Sequence, residues 1–137
     1  MKILLDANVA LDVLLERHPF YISGLQVLGL SKGGIEILIS ASTITDLYYI
    51  MNKSLKNKNI AMVLLKKLLE SVKIASVTND EINRAINLDW DDFEDAVQYA
   101  VGETISVDYL VTRNTSDFSN AILPVVTPDE LLNILIR

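Results

Sequence analysis

The sequence predicts an α/β protein: a mainly parallel sheet covered by helices on both faces, a three-layer α/β/α arrangement. Two observations carry this. Short apolar runs recur at residues 2–5, 35–40, 72–75, 109–112 and 123–126. Stretches with helical spacing separate them, and alternation of strand with helix implies parallel strands joined by crossover helices. A chain of 137 residues, half of them hydrophobic, suits one domain, residues 1–137, with a single sizeable core.

The elements follow in order. Lys2 to Leu5 is an apolar run that ends at Asp6 and reads as a buried strand. Asn8 is the candidate N-cap of a helix over 9–16, with Val9 and Val13, and Leu11, Leu14 and Leu15, at helical spacing. His18-Pro19 breaks it, because the residue before proline disfavours the helical region. A second helix over 20–31 stops at Lys32-Gly33-Gly34, and the two form a helical hairpin. Residues 35–40 make the second strand. Ser42 and Thr43 cap a helix over 44–51 that carries Asp46, and 52–59 is polar and basic. Residues 60–72 form an amphipathic helix, and a short strand follows at 72–75.

Asn79 or Asp80 caps the next helix, which runs to about Leu88. Asp92 caps the helix over 93–102, with acids in its first turn favoured by the helix dipole. The fourth and fifth strands follow at 109–112 and 123–126. Thr127 as N-cap, Pro128 first in the helix and Glu130 third start the closing helix. About seven helices are expected.

Composition excludes several functions. With no cysteine there is no disulfide and no thiolate metal site, and this suits a cytoplasmic protein. A single histidine rules out a poly-histidine zinc centre. No apolar run approaches the ~20 residues of a membrane span, and Asp6 interrupts the N-terminus before a signal peptide can form. The net charge of −6 argues against nucleic-acid binding by the whole surface. The positive charge is local. Lys53, Lys56, Lys58, Lys66, Lys67 and Lys73 fall in one window whose single acid is Glu70. A solvated helix face explains such a run; a surface that draws in an RNA backbone does so too.

The acids are the chemical signal. In residues 89–95, Asp-Trp-Asp-Asp-Phe-Glu-Asp, five of seven are acidic. An acidic run alone is usually a solvated face. Asp6 follows the first strand, Asp46 lies on the helix after the second, Asp95 in the helix before the fourth, and Asp117 just after the fourth. In parallel sheets the site lies at the carboxyl ends of the strands, so these acids converge on one edge. A ring of carboxylates must be protonated or neutralised, and an all-oxygen donor set suits Mg²⁺ or Mn²⁺. Asn8 and Asn114 stand where they can hydrogen-bond carboxylates or a phosphate, and Thr112 where it can orient Asp117 or Asp6.

Leu4-Leu5-Asp6-Ala7-Asn8-Val9, Asp92-Phe93-Glu94-Asp95-Ala96-Val97-Gln98 and Thr112-Arg113-Asn114-Thr115-Ser116-Asp117-Phe118 together resemble a PIN domain, with the toxins of bacterial VapBC-type toxin–antitoxin pairs as the most similar members. The resemblance covers essentially the whole chain. It implies the α/β/α fold and Mg²⁺- or Mn²⁺-dependent endoribonuclease activity, with the metal on Asp6, Asp95 and Asp117. It implies a small antitoxin protein as partner and a homodimer. The family usually has a glutamate at its second acidic position, where this chain has Asp46, one methylene shorter. Lys53, Lys56 and Lys58 are the candidate RNA contacts. Haloacid-dehalogenase-like phosphatases also place an Asp after strand one, but with a second Asp two residues on, where this chain has Asn8. A PIN-like module that binds RNA or protein without cutting is the alternative that Asp46 keeps open.

Overall fold

Five strands, Lys2–Leu5 (β1), Glu36–Ser40 (β2), Lys73–Ala75 (β3), Tyr109–Val111 (β4) and Val125–Val126 (β5), form one all-parallel sheet in the order β3-β2-β1-β4-β5. Strand β1 is central, with Leu4 in register with Leu38 on one side and Leu110 on the other. The structure is a computed structural model and describes residues 1–136. Among the described residues seven α-helices connect or flank the strands: Ala7–Leu14 (α1), Tyr21–Gly29 (α2), Ala41–Leu55 (α3), Lys58–Leu68 (α4), Asn79–Leu88 (α5), Phe93–Thr104 (α6) and Pro128–Ile136 (α7). This is the expected three-layer fold.

Each strand divides its side chains between two cores, because successive residues point to opposite faces. Ile3 and Leu5, with Ile37, Ile39, Val111 and Val126, face α1, α2, α3, α4 and α7 through Val9, Val27, Leu47, Ala61 and Leu131. Leu4, Leu38 and Leu110 face α5 and α6 through Ala85, Ala96, Val97 and Val101. Burial on both faces is why these strands read as continuous apolar runs. Each fully buried Leu, Ile or Val contributes roughly 1.5–3 kcal/mol. Helices α1 and α2 pack closely at Gly24, where an added Cβ would stand 2.9 Å from Val13 Cγ2.

Several helix starts differ from expectation. The cap of α1 is Asp6, whose side chain accepts from Ala7 N, and not Asn8. Ser40, the last residue of β2, caps α3 in place of Ser42 or Thr43. Thr78 caps α5 in a reciprocal box with Glu81, in place of Asn79 or Asp80. Helix α3 runs on to Leu55, through what reads in sequence as a polar connection, and Asn57 then caps α4. Asp92 caps α6 through Asp95 N as expected, and the Thr127–Glu130 pair starts α7. The chain between α2 and β2 closes as a 3₁₀ turn, Leu30–Gly33, and Gly34 takes a left-handed φ of 91°, which a residue without a Cβ adopts freely.

Candidate functional site

The strand order reverses at β1, whose neighbours continue the chain in opposite directions. Such a switch point opens a crevice beyond the carboxyl ends of the two strands. Asp6 follows β1 there and Thr112 follows β4, and the Asp6 N–H donates to Val111 O at 2.9 Å. The end of one strand is thereby stitched to the end of the next.

Asp6 is only 8% exposed, and four donors surround its carboxylate. Oδ1 accepts from Ala7 N at 2.7 Å and from Gln98 Nε2 at 2.9 Å. Oδ2 accepts from Thr112 Oγ1 at 2.8 Å and from Asn8 Nδ2 at 3.3 Å. These four bonds reach both oxygens and fix the carboxylate in orientation. Thr112 also receives Asn8 Nδ2 at 3.2 Å and Asn114 N at 3.1 Å. Asn8 Oδ1 in turn accepts from Arg113 N at 3.2 Å. Thr112 therefore orients Asp6, and Asn8 binds both. Asn114 contributes its backbone N–H.

Asp95 lies in the first turn of α6, half-buried. Its carboxyl is raised to about 7, first by desolvation and then by the charges of Asp92, Asp6, Asp117 and Glu94. Asp6 and Asp117 are thus both near enough to Asp95 for their charges to act on it. Glu94 is raised too, by desolvation and then by Asp46, whose carboxyl faces it, with Asp92 and Asp6 adding to the effect. An open cavity of about 260 Å³ beside them is lined by Asp91, Asp92, Asp95, Asp117, Ser116 and Asn120 among others. Asp6 lies outside that lining and Asp46 opposes Glu94, so the acids form a broad field. Among the described residues no three are already drawn together as a finished metal cage.

Trp90 holds the acidic loop in place. Its ring stacks on Tyr99 of α6 at 4.9 Å and meets Phe118 edge-on at 6.0 Å. One aromatic within the acidic run thus anchors the loop to the second core while its neighbours face solvent. The lysines are elsewhere. Lys53, Lys56 and Lys58 are exposed where α3 turns into α4, and none lines the carboxylate cavity.

Four residues have partners that a reading of the sequence alone does not give. Gln98 reads as an ordinary helix residue, yet it is 5% exposed and bonded to Asp6. Glu94 reads as a cap or solvated group, yet it faces Asp46. Asp12 and Arg113 form a two-point ion pair behind the site. For Asp12 a signal existed, an acid inside the apolar stretch Leu11-Asp12-Val13-Leu14.

The PIN domain family profile matches residues 2–116 of this chain. The chain belongs to the PIN domain family. Ribonuclease VapC1 of Aquifex aeolicus is 27% identical, over 94% of this chain and 92% of that protein. VapBC2 from Rickettsia felis, solved bound to a DNA fragment from its promoter, superposes with a TM-score of 0.74 at 20% identity, covering 93% of this chain and 98% of that one. VapBC-1 from nontypeable Haemophilus influenzae gives a TM-score of 0.73 at 13% identity, over 94% and 99%. At those identities the two structures support the fold of this PIN domain.

Proposed function

We propose that this protein is a metal-dependent endoribonuclease that hydrolyses RNA phosphodiester bonds in the cytoplasm, as the toxin of a toxin–antitoxin pair. The observation that carries the reading is the carboxylate field at the β1/β4 switch point, in which Asp95 is raised to about 7 by partial burial and then by four acidic neighbours. Family membership and the ribonuclease relative support it.

The residues fit a hard divalent cation, Mg²⁺ or Mn²⁺. The donors are oxygens only, and among the described residues no ion pair reaches the field and one buried amide oxygen, Gln98 Oε1, has no partner. Asp6, Asp95 and Asp117 would hold the ion, with Asp46 and its neighbour Glu94 alongside. Bound there, it would supply an activated water and charge stabilisation for the phosphodiester. The protein's part is to keep the carboxylates in place. Thr112, Asn8 and Gln98 fix Asp6, Asp92 fixes the first turn of α6, and Asn114 ties the Asp117 segment to Thr112. The shorter Asp46 is matched by Glu94 opposite it. Lys53, Lys56 and Lys58 would take the RNA backbone further from the chemistry.

The partner reading rests on a groove of about 490 Å³ between α1, α2 and α4, lined by Val13, Leu14, Leu25, Leu28, Leu64 and Leu68 with Lys32 and Lys67 at its rim. It has the form that takes the apolar face of an amphipathic helix, and an antitoxin helix is the proposed occupant. A homodimer accompanies this proposal.

Incubation of the purified chain with RNA, with Mg²⁺ or Mn²⁺ and with EDTA, tests the activity. Cleavage that EDTA stops, and that Asp6→Asn and Asp117→Asn abolish while the proteins stay folded, is the expected result. RNA bound but uncut under every metal condition would make the chain a binding module instead.

A further inference from the structure

Helix α6 buries an unbroken run, Ala96 to Gly102, and Gln98 is the one amide side chain in it. A Met or Leu would fill the same space without a polar cost. Gln98 stands three residues after Asp95, on the same side of the helix. Its Nε2 donates to Asp6 Oδ1 at 2.9 Å, and its Oε1 has no partner although the side chain is 5% exposed.

The orientation of the amide is forced. Rotating it by half a turn would set Oε1 against a carboxylate oxygen, acceptor to acceptor. The N–H must face Asp6, so the oxygen is the atom left over. With the carboxylates ionised, as a bound cation requires, none of them can satisfy it, because an ionised carboxylate only accepts. Asp6 is already bonded to Ala7 N, Asn8 Nδ2 and Thr112 Oγ1 as well. What can donate to Oε1 is water, and the water most firmly held in an acidic site is one polarised by a cation.

We propose that Gln98 is a positioning residue of the carboxylate site, which holds Asp6 through its N–H and receives a cation's water of hydration on Oε1. The proposal rests on the metal-dependent reading above. Gln98 links two carboxylates from distant parts of the chain: it shares a helix with Asp95 and a hydrogen bond with Asp6. Outer groups that orient metal ligands typically change affinity or rate 10–100-fold when removed.

The test uses Gln98→Met, which keeps the length and removes both polar atoms, and Gln98→Glu, which keeps the acceptor and turns the donor into a carboxylate. Mn²⁺ affinity is measured by calorimetry without RNA; kcat and KM are measured with an RNA substrate. The Met variant is expected to stay folded, to bind Mn²⁺ roughly tenfold or more weakly, and to lose kcat with KM for RNA unchanged. The Glu variant is expected to lose kcat to a similar degree, because the new charge pushes Asp6 away. If the site needed only negative charge, Gln98→Glu would bind Mn²⁺ more tightly and cut as fast as wild type, and that result overturns the proposal. Mn²⁺ binding and kcat at wild-type levels in Gln98→Met overturn it as well. Failure of the wild type to bind Mn²⁺ would sink the metal-dependent reading and this inference with it, whereas failure confined to the variants' behaviour sinks this inference alone.

Discussion

Arg113 grips Asp12 at two points, Nε to Oδ2 at 2.6 Å and Nη2 to Oδ1 at 3.2 Å, across 101 residues of sequence. Asp12 is 1% exposed, inside α1. The Arg113 guanidinium also lies 4.0 Å from the centre of the Phe20 ring, and its backbone N–H donates to Asn8 Oδ1. The segment that carries Thr112 and leads to Asp117 is therefore clamped to the helix that begins at Asp6.

Arg113→Ala leaves the Asp12 carboxylate buried and unpaired. Removing one partner of a buried pair costs about 3–5 kcal/mol, and urea unfolding of the variant should show a loss near the lower figure, since Arg113 itself is partly exposed. Replacing both residues together, Asp12→Leu with Arg113→Met, should recover much of the stability. A loss below about 1 kcal/mol for Arg113→Ala would mean that water reaches Asp12 and the clamp is weak.

Stability should fall as pH rises through the range in which Asp95 titrates. Its carboxyl is raised from 3.8 to about 7 by partial burial and the charges of Asp92, Asp6, Asp117 and Glu94. The folded protein then binds that proton more tightly than the unfolded chain does, so protonation favours folding and its contribution is lost between the two values. Glu94, also raised, acts in the same direction. Glu81 is lowered, chiefly by its bonds to Thr78, so its contribution holds above its ordinary value of 4.5 and is lost only in stronger acid. In EDTA, the urea midpoint should therefore be lower at pH 8 than at pH 5, and Asp95→Asn should flatten the difference. An unchanged slope in Asp95→Asn would place the titration elsewhere.

Millimolar Mn²⁺ should raise the melting temperature at pH 8, because a ligand that binds only the folded state stabilises it by mass action. The cation also supplies the missing counter-charge, so the gain should be larger at pH 8 than at pH 5, where Asp95 holds a proton that must first leave. Asp95→Asn should show a much smaller shift. An equal shift in wild type and variant would place the Mn²⁺ outside this field.

The sheet was legible because each strand is an apolar run closed by a polar residue. Asp92 and the Thr127-Pro128-Asp129-Glu130 start were legible because their capping partners lie within three residues. The caps that came out differently share one cause. At Asp6 and Asn8, at Ser40, Ser42 and Thr43, and at Thr78, Asn79 and Asp80, several competent residues adjoin. The register of the preceding strand decides among them, and that register is set by other strands. Topology alone directs Asp6, Asp95 and Asp117 toward one edge of the sheet. It does not single out Gln98, since its partner lies 92 residues away and its neighbours are all core. The pairing of Glu94 with Asp46 needs the relative placement of α3 and α6, which no local pattern encodes.

The groove between α1, α2 and α4 separates a core role from a docking role at single residues. Leu25 is 44% exposed although it lines the groove, and Leu14 is half-buried beside it. Leu28, by contrast, is buried in the core against the sheet. Leu25→Glu should therefore leave the urea midpoint close to wild type, since an exposed substitution usually changes stability by less than about 0.5 kcal/mol. It should still abolish co-purification with the proposed antitoxin, because a charge in the middle of an apolar groove must be desolvated when a helix docks. Leu14→Glu should do both, lowering stability and preventing capture. Capture of the partner by Leu25→Glu at wild-type yield would place the docking surface elsewhere, and a large loss of stability in Leu25→Glu would make the groove a part of the core.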